Sequence, residues 1–227
     1  MSSLKASIQQ VRQRLQQACL LSGRKPEEIL LVAVTKTVPA ERIREALGEG
    51  LTLFGENYIQ EAEDKITTLR QGDWHFIGHL QSRKAKQAIP LFSMIETLDS
   101  PKLAREINRQ ALLIGKTMEV LIQINEAEEA NKSGISPDLV PALLEESPAW
   151  PALRIRGLMT LPPYDPDPEK SRPWFRSLFR LRQEWHRRFP RIDLSQLSMG
   201  MSHDFEVAIE EGATIVRVGT ALFGERA

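Results

Sequence analysis

Apolar side chains recur at Leu4, Ile8, Val11, Leu15 and Cys19, with Gln and Arg between them, and Gly23 closes the run. That spacing predicts an amphipathic helix over 4–21. The pattern then changes. Ile29-Leu-Leu-Val-Ala-Val34 is a short, continuous apolar run rich in branched residues, which fits a strand buried on both faces. From there the chain alternates. Further strands are expected at 51–54, 74–77, 92–98, 118–125, 153–159, 196–199 and 214–218. Helices are expected at 39–48, opened by Pro39, and at 58–69, 82–88, 103–114, 137–145, 171–188 and 204–210. A proline-rich loop, Leu161-Pro-Pro-Tyr-Asp-Pro-Asp-Pro168, precedes the helix at 171. Strict alternation implies parallel strands joined by crossover helices. Eight such units in 227 residues fit a single α/β domain over 1–227, a (β/α)₈ TIM-type barrel with an extra N-terminal helix. A doubly wound open sheet is the alternative. It would want a glycine-rich loop after its first strand, and Thr35-Lys36-Thr37-Val38-Pro39 has no glycine.

Charge narrows the partners. Lys plus Arg and Asp plus Glu both number 30, so no net field favours nucleic acid or an anionic membrane. Cys19 is the one cysteine; a disulfide framework and a thiolate metal cluster within one chain are both excluded. On the apolar face of its helix, Cys19 reads as a packing thiol. The start of the chain lacks a basic stretch followed by an apolar run. No segment approaches the ~18 uninterrupted apolar residues of a membrane span. The expected compartment is the cytoplasm.

Two local patterns mislead. Gly115-Lys116-Thr117 looks like the end of a phosphate-binding loop, but Gln110 stands where a glycine is needed, and a helix precedes where a strand should. It reads as a helix end with a glycine cap. His75 and His79 are four apart in a strand-like stretch, so their imidazoles need not converge on a metal.

In this barrel, function gathers where strands end and lead into helices. The first strand ends in Thr35-Lys36. A lysine leaving a wholly apolar strand is costly unless paired or chemically used, and an ammonium that reaches rim water is equally compatible. The second ends in Phe54-Gly55-Glu56-Asn57-Tyr58, where Asn57 could cap the next helix. After the seventh comes Ser198-Met199-Gly200-Met201-Ser202, and after the eighth Val218-Gly219-Thr220. Loops of small residues at these two places form the usual phosphate site of the fold. Backbone N–H groups from Gly200 to Ser202 and at Gly219, with the Ser202 and Thr220 hydroxyls, are candidate donors. The alternative is that the glycines only make tight turns. Arg217, inside the apolar last strand, must face the barrel mouth or pair with an acid. A lysine, a phosphate cradle and an inward arginine at one rim are what pyridoxal phosphate requires: an amine, phosphate donors and a partner for the ring nitrogen.

Six motifs extend the match across the chain. They are Ala33-Val-Thr-Lys36-Thr-Val-Pro39, Phe54-Gly-Glu-Asn57-Tyr-Ile-Gln-Glu61, Trp74-His-Phe-Ile-Gly78 with Leu80-Gln81, Gly157-Leu-Met159, Leu197-Ser-Met-Gly-Met-Ser202, and Val216-Arg217-Val-Gly-Thr220-Ala-Leu-Phe-Gly224. Together they resemble the pyridoxal phosphate homeostasis proteins, short relatives of the alanine racemase barrel. Arg83 departs from the pattern, where the family more often has Asn. The resemblance implies a fold-type III barrel holding pyridoxal 5′-phosphate as a Schiff base on Lys36. It implies Asn57 beside the ring, and Ser202, Gly219 and Thr220 on the phosphate with backbone around Met201. Arg217 is implied at the pyridine nitrogen. It further implies a role in intracellular vitamin B6 homeostasis and in amino- and keto-acid balance, without clear turnover.

The alternative is a weak racemase or lyase acting on small amino acids. A racemase of this type needs a second acid/base from a C-terminal domain and a dimer partner. The sequence ends seven residues after Thr220, so a monomer without turnover is expected. An arginine at the ring nitrogen also weakens the cofactor as an electron sink. The expected partners are the cofactor, small amino acids and apo-enzymes that receive the cofactor. A third possibility is an empty barrel used as an interaction module.

Overall fold

A computed structural model describes residues 3–127 and 133–225. Eight parallel strands close into a barrel in sequence order, and the last pairs with the first. The strands are β1 (Leu30–Val34), β2 (Leu53–Glu56), β3 (Asp73–Phe76), β4 (Met94–Leu98), β5 (Met118–Ile124), β6 (Leu153–Thr160), β7 (Gln196–Ser198) and β8 (Ile215–Val218). The expected eight strands all form, in the expected order. Helix α1 (Leu4–Leu21) opens with the Ser3 hydroxyl accepting the Ala6 amide. It buries Leu4, Ile8, Val11, Leu15, Ala18 and Cys19, each large aliphatic chain contributing about 1.5–3 kcal/mol.

The intervening helices are α2 (Ala40–Gly48), α3 (Ile59–Leu69), α4 (Ala85–Leu91), α5 (Pro101–Leu113), α6 (Val140–Glu146), α7 (Arg172–Arg188) and α8 (Phe205–Glu210). The expected helix at 82–88 is a 3₁₀ turn, Ser82–Lys84, running into α4. A four-residue helix, α9 (Thr220–Phe223), follows β8 and was not expected from the pattern. The second strand lies two residues later than expected. The Leu51 amide donates to the Ala46 carbonyl at 3.0 Å and closes α2, so it is not available to the ladder.

Side chains alternate across each strand. Val32, Leu53, Met94, Leu121, Met159 and Ile215 pack together as a separate apolar cluster inside the barrel. The outward residues join the larger core beneath the helices. Above the interior cluster the filling becomes polar, at His75, Glu96, Ser198 and Arg217. That change in filling marks the end of the barrel where chemistry is possible.

Candidate functional site

A cavity of about 470 Å³ opens at the C-terminal end of the strands. Lys36, Asn57, Met201, Ser202, Arg217, Gly219 and Thr220 all line it. The seven candidates come from four different strand ends, and the closed barrel brings them together. Arg83 lies outside, its guanidinium donating to the Gln81 side chain.

Arg217 sits inside the barrel and is only 3% exposed. Its Nη2 donates to the Thr160 carbonyl at 2.9 Å. Its Nη1 donates to the Ser198 hydroxyl. Ser198 in turn donates to Glu96 Oε2 at 2.5 Å, and Glu96 Oε1 lies 2.7 Å from His75 Nδ1. Arg217 therefore both faces the cavity and pairs with an acid, where the sequence posed these as alternatives. Burial alone would push Glu96 up, but His75, Arg217 and Ser198 together hold its carboxyl below the usual range. Burial also pulls Arg217 below the ordinary guanidinium value, with Glu96 and Asp204 opposing. The cation is thus fixed in place by a carboxylate that stays ionised.

Asn57 is not a helix cap. Tyr58 occupies the cap position of α3 and makes no side-chain cap bond. The Asn57 Oδ1 is buried without a hydrogen-bond partner, an open acceptor on the cavity wall. Gly78 holds this segment in place. A Cβ there would stand 2.3 Å from the Asn57 carbonyl oxygen, so only glycine lets the end of β3 approach it.

The two terminal loops are stapled to each other. Ser202 Oγ accepts the Gly219 amide at 3.1 Å and the Ala221 amide at 3.3 Å. With its oxygen engaged, the hydroxyl proton is what Ser202 has left to give a ligand. The Met201 amide donates to Asp204 Oδ1 at 2.7 Å, so Met201 forms wall and is not an available backbone donor. The glycines differ. Gly200 has a φ of 91°, and a Cβ there would lie 2.5 Å from that of Ala208; it is required by the fold. Gly219 has a negative φ, and its Cβ would meet only Val34, at 3.4 Å or beyond. Neither backbone nor packing demands glycine at 219, whereas close approach of a ligand would.

Sequence reasoning missed several contributors. Tyr164, from the proline-rich loop, and His203 line the open side of the cavity with Leu161. Tyr164 is 74% exposed and its ring lies 5.1 Å from the His203 ring. Arg14 on α1 reaches the Ser202 carbonyl at 3.2 Å and pairs with Glu206. Glu56, expected as a polar rim residue, is fully buried against α3, where Lys65 Nζ donates to it at 2.8 Å. Burial pushes Glu56 above its ordinary value, with Lys65 and Thr35 offsetting part of the shift. His75 and His79 diverge, one to Glu96 and the other to Asp99. The motif text carried a signal for Glu56, Glu61 and His75 but not their partners.

Residues 3–227 match the family model for the alanine racemase N-terminal domain. A pyridoxal phosphate homeostasis protein of Aquifex aeolicus is 46% identical over 221 residues, covering 96% of each chain. One from Escherichia coli K12 is 39% identical over 231 residues, covering 100% of this chain and 98% of its own. PipY of Synechococcus elongatus, solved with pyridoxal phosphate bound, aligns with a TM-score of 0.82 at 35% identity, covering 93% of this chain and 100% of its own. Diaminopimelate decarboxylase of Helicobacter pylori, at 15% identity and a TM-score of 0.67, covers 93% of this chain and 62% of its own, and shares the fold. By family match and full-length identity alike, this chain belongs to the pyridoxal phosphate homeostasis proteins, a family built on the alanine racemase N-terminal domain.

Proposed function

We propose that this protein binds pyridoxal 5′-phosphate in the 470 Å³ cavity and serves vitamin B6 homeostasis by holding and releasing it. The observation that carries the reading is the convergence of an amine, a fixed buried cation and a hydroxyl-bearing loop pair on one cavity. The residues suit the cofactor. Lys36 supplies the amine, and Ser202 and Thr220 supply hydroxyls for the phosphate. Gly219 leaves room where a Cβ would stand, and Asn57 offers an acceptor beside the ring. The cofactor, when bound, contributes an aldehyde that reacts reversibly with amines. The names of the relatives and the cofactor-bound PipY structure support the same reading.

Arg217 sets the chemistry. An arginine held by Glu96 through Ser198 keeps its own proton. It can donate to a ring nitrogen but cannot protonate it, which weakens the cofactor's capacity to take up electrons. Turnover therefore stays near background, and release to apo-enzymes or exchange with small amino acids is the function. The weak racemase or lyase alternative would draw on Tyr164 and His203, the titratable side chains on the open wall.

One experiment separates these. The purified protein should absorb in the visible range, and borohydride should fix the cofactor to Lys36 by peptide mapping. Loaded protein is then incubated with L-alanine and other amino acids, following D-enantiomer, keto acid and cofactor transfer to an apo-enzyme. Transfer without product is expected. Robust turnover that disappears in Lys36→Ala would promote the racemase or lyase reading.

A further inference from the structure

The turn that carries Lys36 is gripped by α3 from outside the barrel wall. The Thr35 carbonyl, in the peptide group before Lys36, accepts Lys65 Nζ at 2.6 Å and the Val38 amide at 2.9 Å. The Thr37 amide, in the peptide group after Lys36, donates to Glu61 Oε1 at 2.5 Å. Lys65 also donates to that same Glu61 oxygen at 2.6 Å and to Glu56 Oε1 at 2.8 Å. The Thr35 hydroxyl completes the cluster, donating to Glu56 Oε1 at 2.6 Å. Glu61 and Lys65 stand one turn apart on α3, so both reach the same loop. Lys65 is 7% exposed and Glu56 is fully buried.

The conformation held in this way is unfavourable. Thr37 has a φ of 64°, and only Arg70 shares a positive φ among the described non-glycine residues. For a β-branched side chain this region is a steric outlier, sustained only where surrounding contacts impose it. Relaxing Thr37 to an ordinary φ would rotate the chain directly after Lys36. The contact that opposes this is the Glu61 carboxylate, which Lys65 in turn fixes.

We propose that Glu61 and Lys65 are positioning residues for Lys36, pinning both of its peptide groups and holding Thr37 left-handed so that the amine is presented to the cofactor cavity. The inference rests on the reading of Lys36 as the attachment point. A plain structural staple between β1 and α3 would have a different signature. It would lower stability without changing how Lys36 reacts with a bound aldehyde. A positioning role slows attachment while the rest of the cavity still binds, because small misplacements of a reacting group cost large factors in rate.

The test compares two ligands on the full-length protein. Pyridoxal 5′-phosphate reports attachment through its absorbance change, followed by stopped flow. Pyridoxine 5′-phosphate, with an alcohol in place of the aldehyde, reports the phosphate and ring contacts alone. Glu61→Met and Lys65→Met should each slow attachment at least tenfold while affinity for pyridoxine 5′-phosphate stays within twofold of wild type. Adding Thr37→Gly to Glu61→Met should recover much of the rate, since glycine adopts the required φ without being forced. Should Lys65→Met fail to fold, Glu61→Met and the double variant carry the test. Attachment within twofold of wild type in folded Glu61→Met would overturn the proposal. So would a parallel loss of both ligands, or no recovery on adding Thr37→Gly. Borohydride labelling of the wild type at a lysine other than Lys36 would instead refute the attachment site itself, and is read before any variant is made.

Discussion

At the N-terminal end of the barrel, half-buried cations close helix ends; at the C-terminal end, buried cations face the cavity or grip the backbone beside it. Lys116 Nζ donates to the Ile89 and Phe92 carbonyls at 2.6 and 2.7 Å, sealing the end of α4. Arg24 does the same for α8, through the Ile209 and Ala213 carbonyls at 3.1 and 2.6 Å. These cations meet partial charges that every helix leaves unsatisfied; Arg24 adds a pairing with the exposed Glu28 carboxylate at 3.3 Å. Arg217 and Lys65 at the other end are held by full carboxylates, Glu96 and the Glu56–Glu61 pair. A carbonyl cap uses up the cation. A carboxylate fixed by further hydrogen bonds leaves the cation, or the backbone it grips, aimed at a third party. Residue type therefore does not separate structural from functional charge here; a buried, hydrogen-bonded carboxylate partner does.

Four perturbations should break or sharpen that contrast, in decreasing order of effect. Lys36→Ala should abolish borohydride-stable cofactor retention while thermal stability changes little. Retained covalent label would end the assignment. Glu96→Gln should be the exception that joins the two roles. It leaves the Arg217 cation buried without its counter-charge, a loss of about 3–5 kcal/mol, and it should weaken cofactor retention as well. Denaturant midpoints measured beside cofactor affinity would show both.

The double variant Ser202→Ala with Thr220→Ala should weaken cofactor binding by about 1.5–3 kcal/mol for each lost charge-assisted bond. Because Ser202 also joins the two loops, the single Ser202→Ala should cost more than Thr220→Ala. Unchanged affinity in the double variant would move the phosphate elsewhere. Lys116→Met gives the converse result at the other end. Stability should fall by about 1–3 kcal/mol as two helix-end carbonyls lose their donor, with cofactor affinity unaltered. A change in affinity would show that the two ends are coupled.

Two buried carboxyls add a pH signature with opposite signs. Glu96 is held below its ordinary value, so its contribution to stability is present above the unfolded value and lost as pH falls through the folded one. Glu126, at the end of β5, is pushed up to about 7 by burial, with the Ser177 and Thr160 hydroxyls offsetting part of the effect. The stability it contributes is therefore complete below the unfolded value near 4.5 and declines as pH rises through about 7. Chemical denaturation of Glu126→Gln across this window should show a flatter profile than wild type. An unchanged slope would place the titration on another group.

Much of this was written in local pattern. Runs of Val, Ile and Leu alternating with 3.6-residue periodicity determined eight strands, their helices and the barrel, because those signals need only neighbours along the chain. Lys36, Ser202, Arg217, Gly219 and Thr220 were legible because charged or small residues stood at the ends of apolar strands. Their partners were not. His75, Glu96, Ser198 and Arg217 come from four strands, with Ser198 and Glu96 lying 102 residues apart, and no periodicity links them. Glu56 was misread because β2 begins two residues later than its apolar run suggests, and register decides which face of a strand a side chain takes. The Met201 amide passed for a ligand donor until the fold showed Asp204 occupying it. The sequence by itself determined which elements form and where chemistry is affordable, since propensity and hydrophobic burial act locally. Barrel closure decided which charge meets which, since a buried ion's partner is set by proximity in space across strands that the chain order keeps far apart.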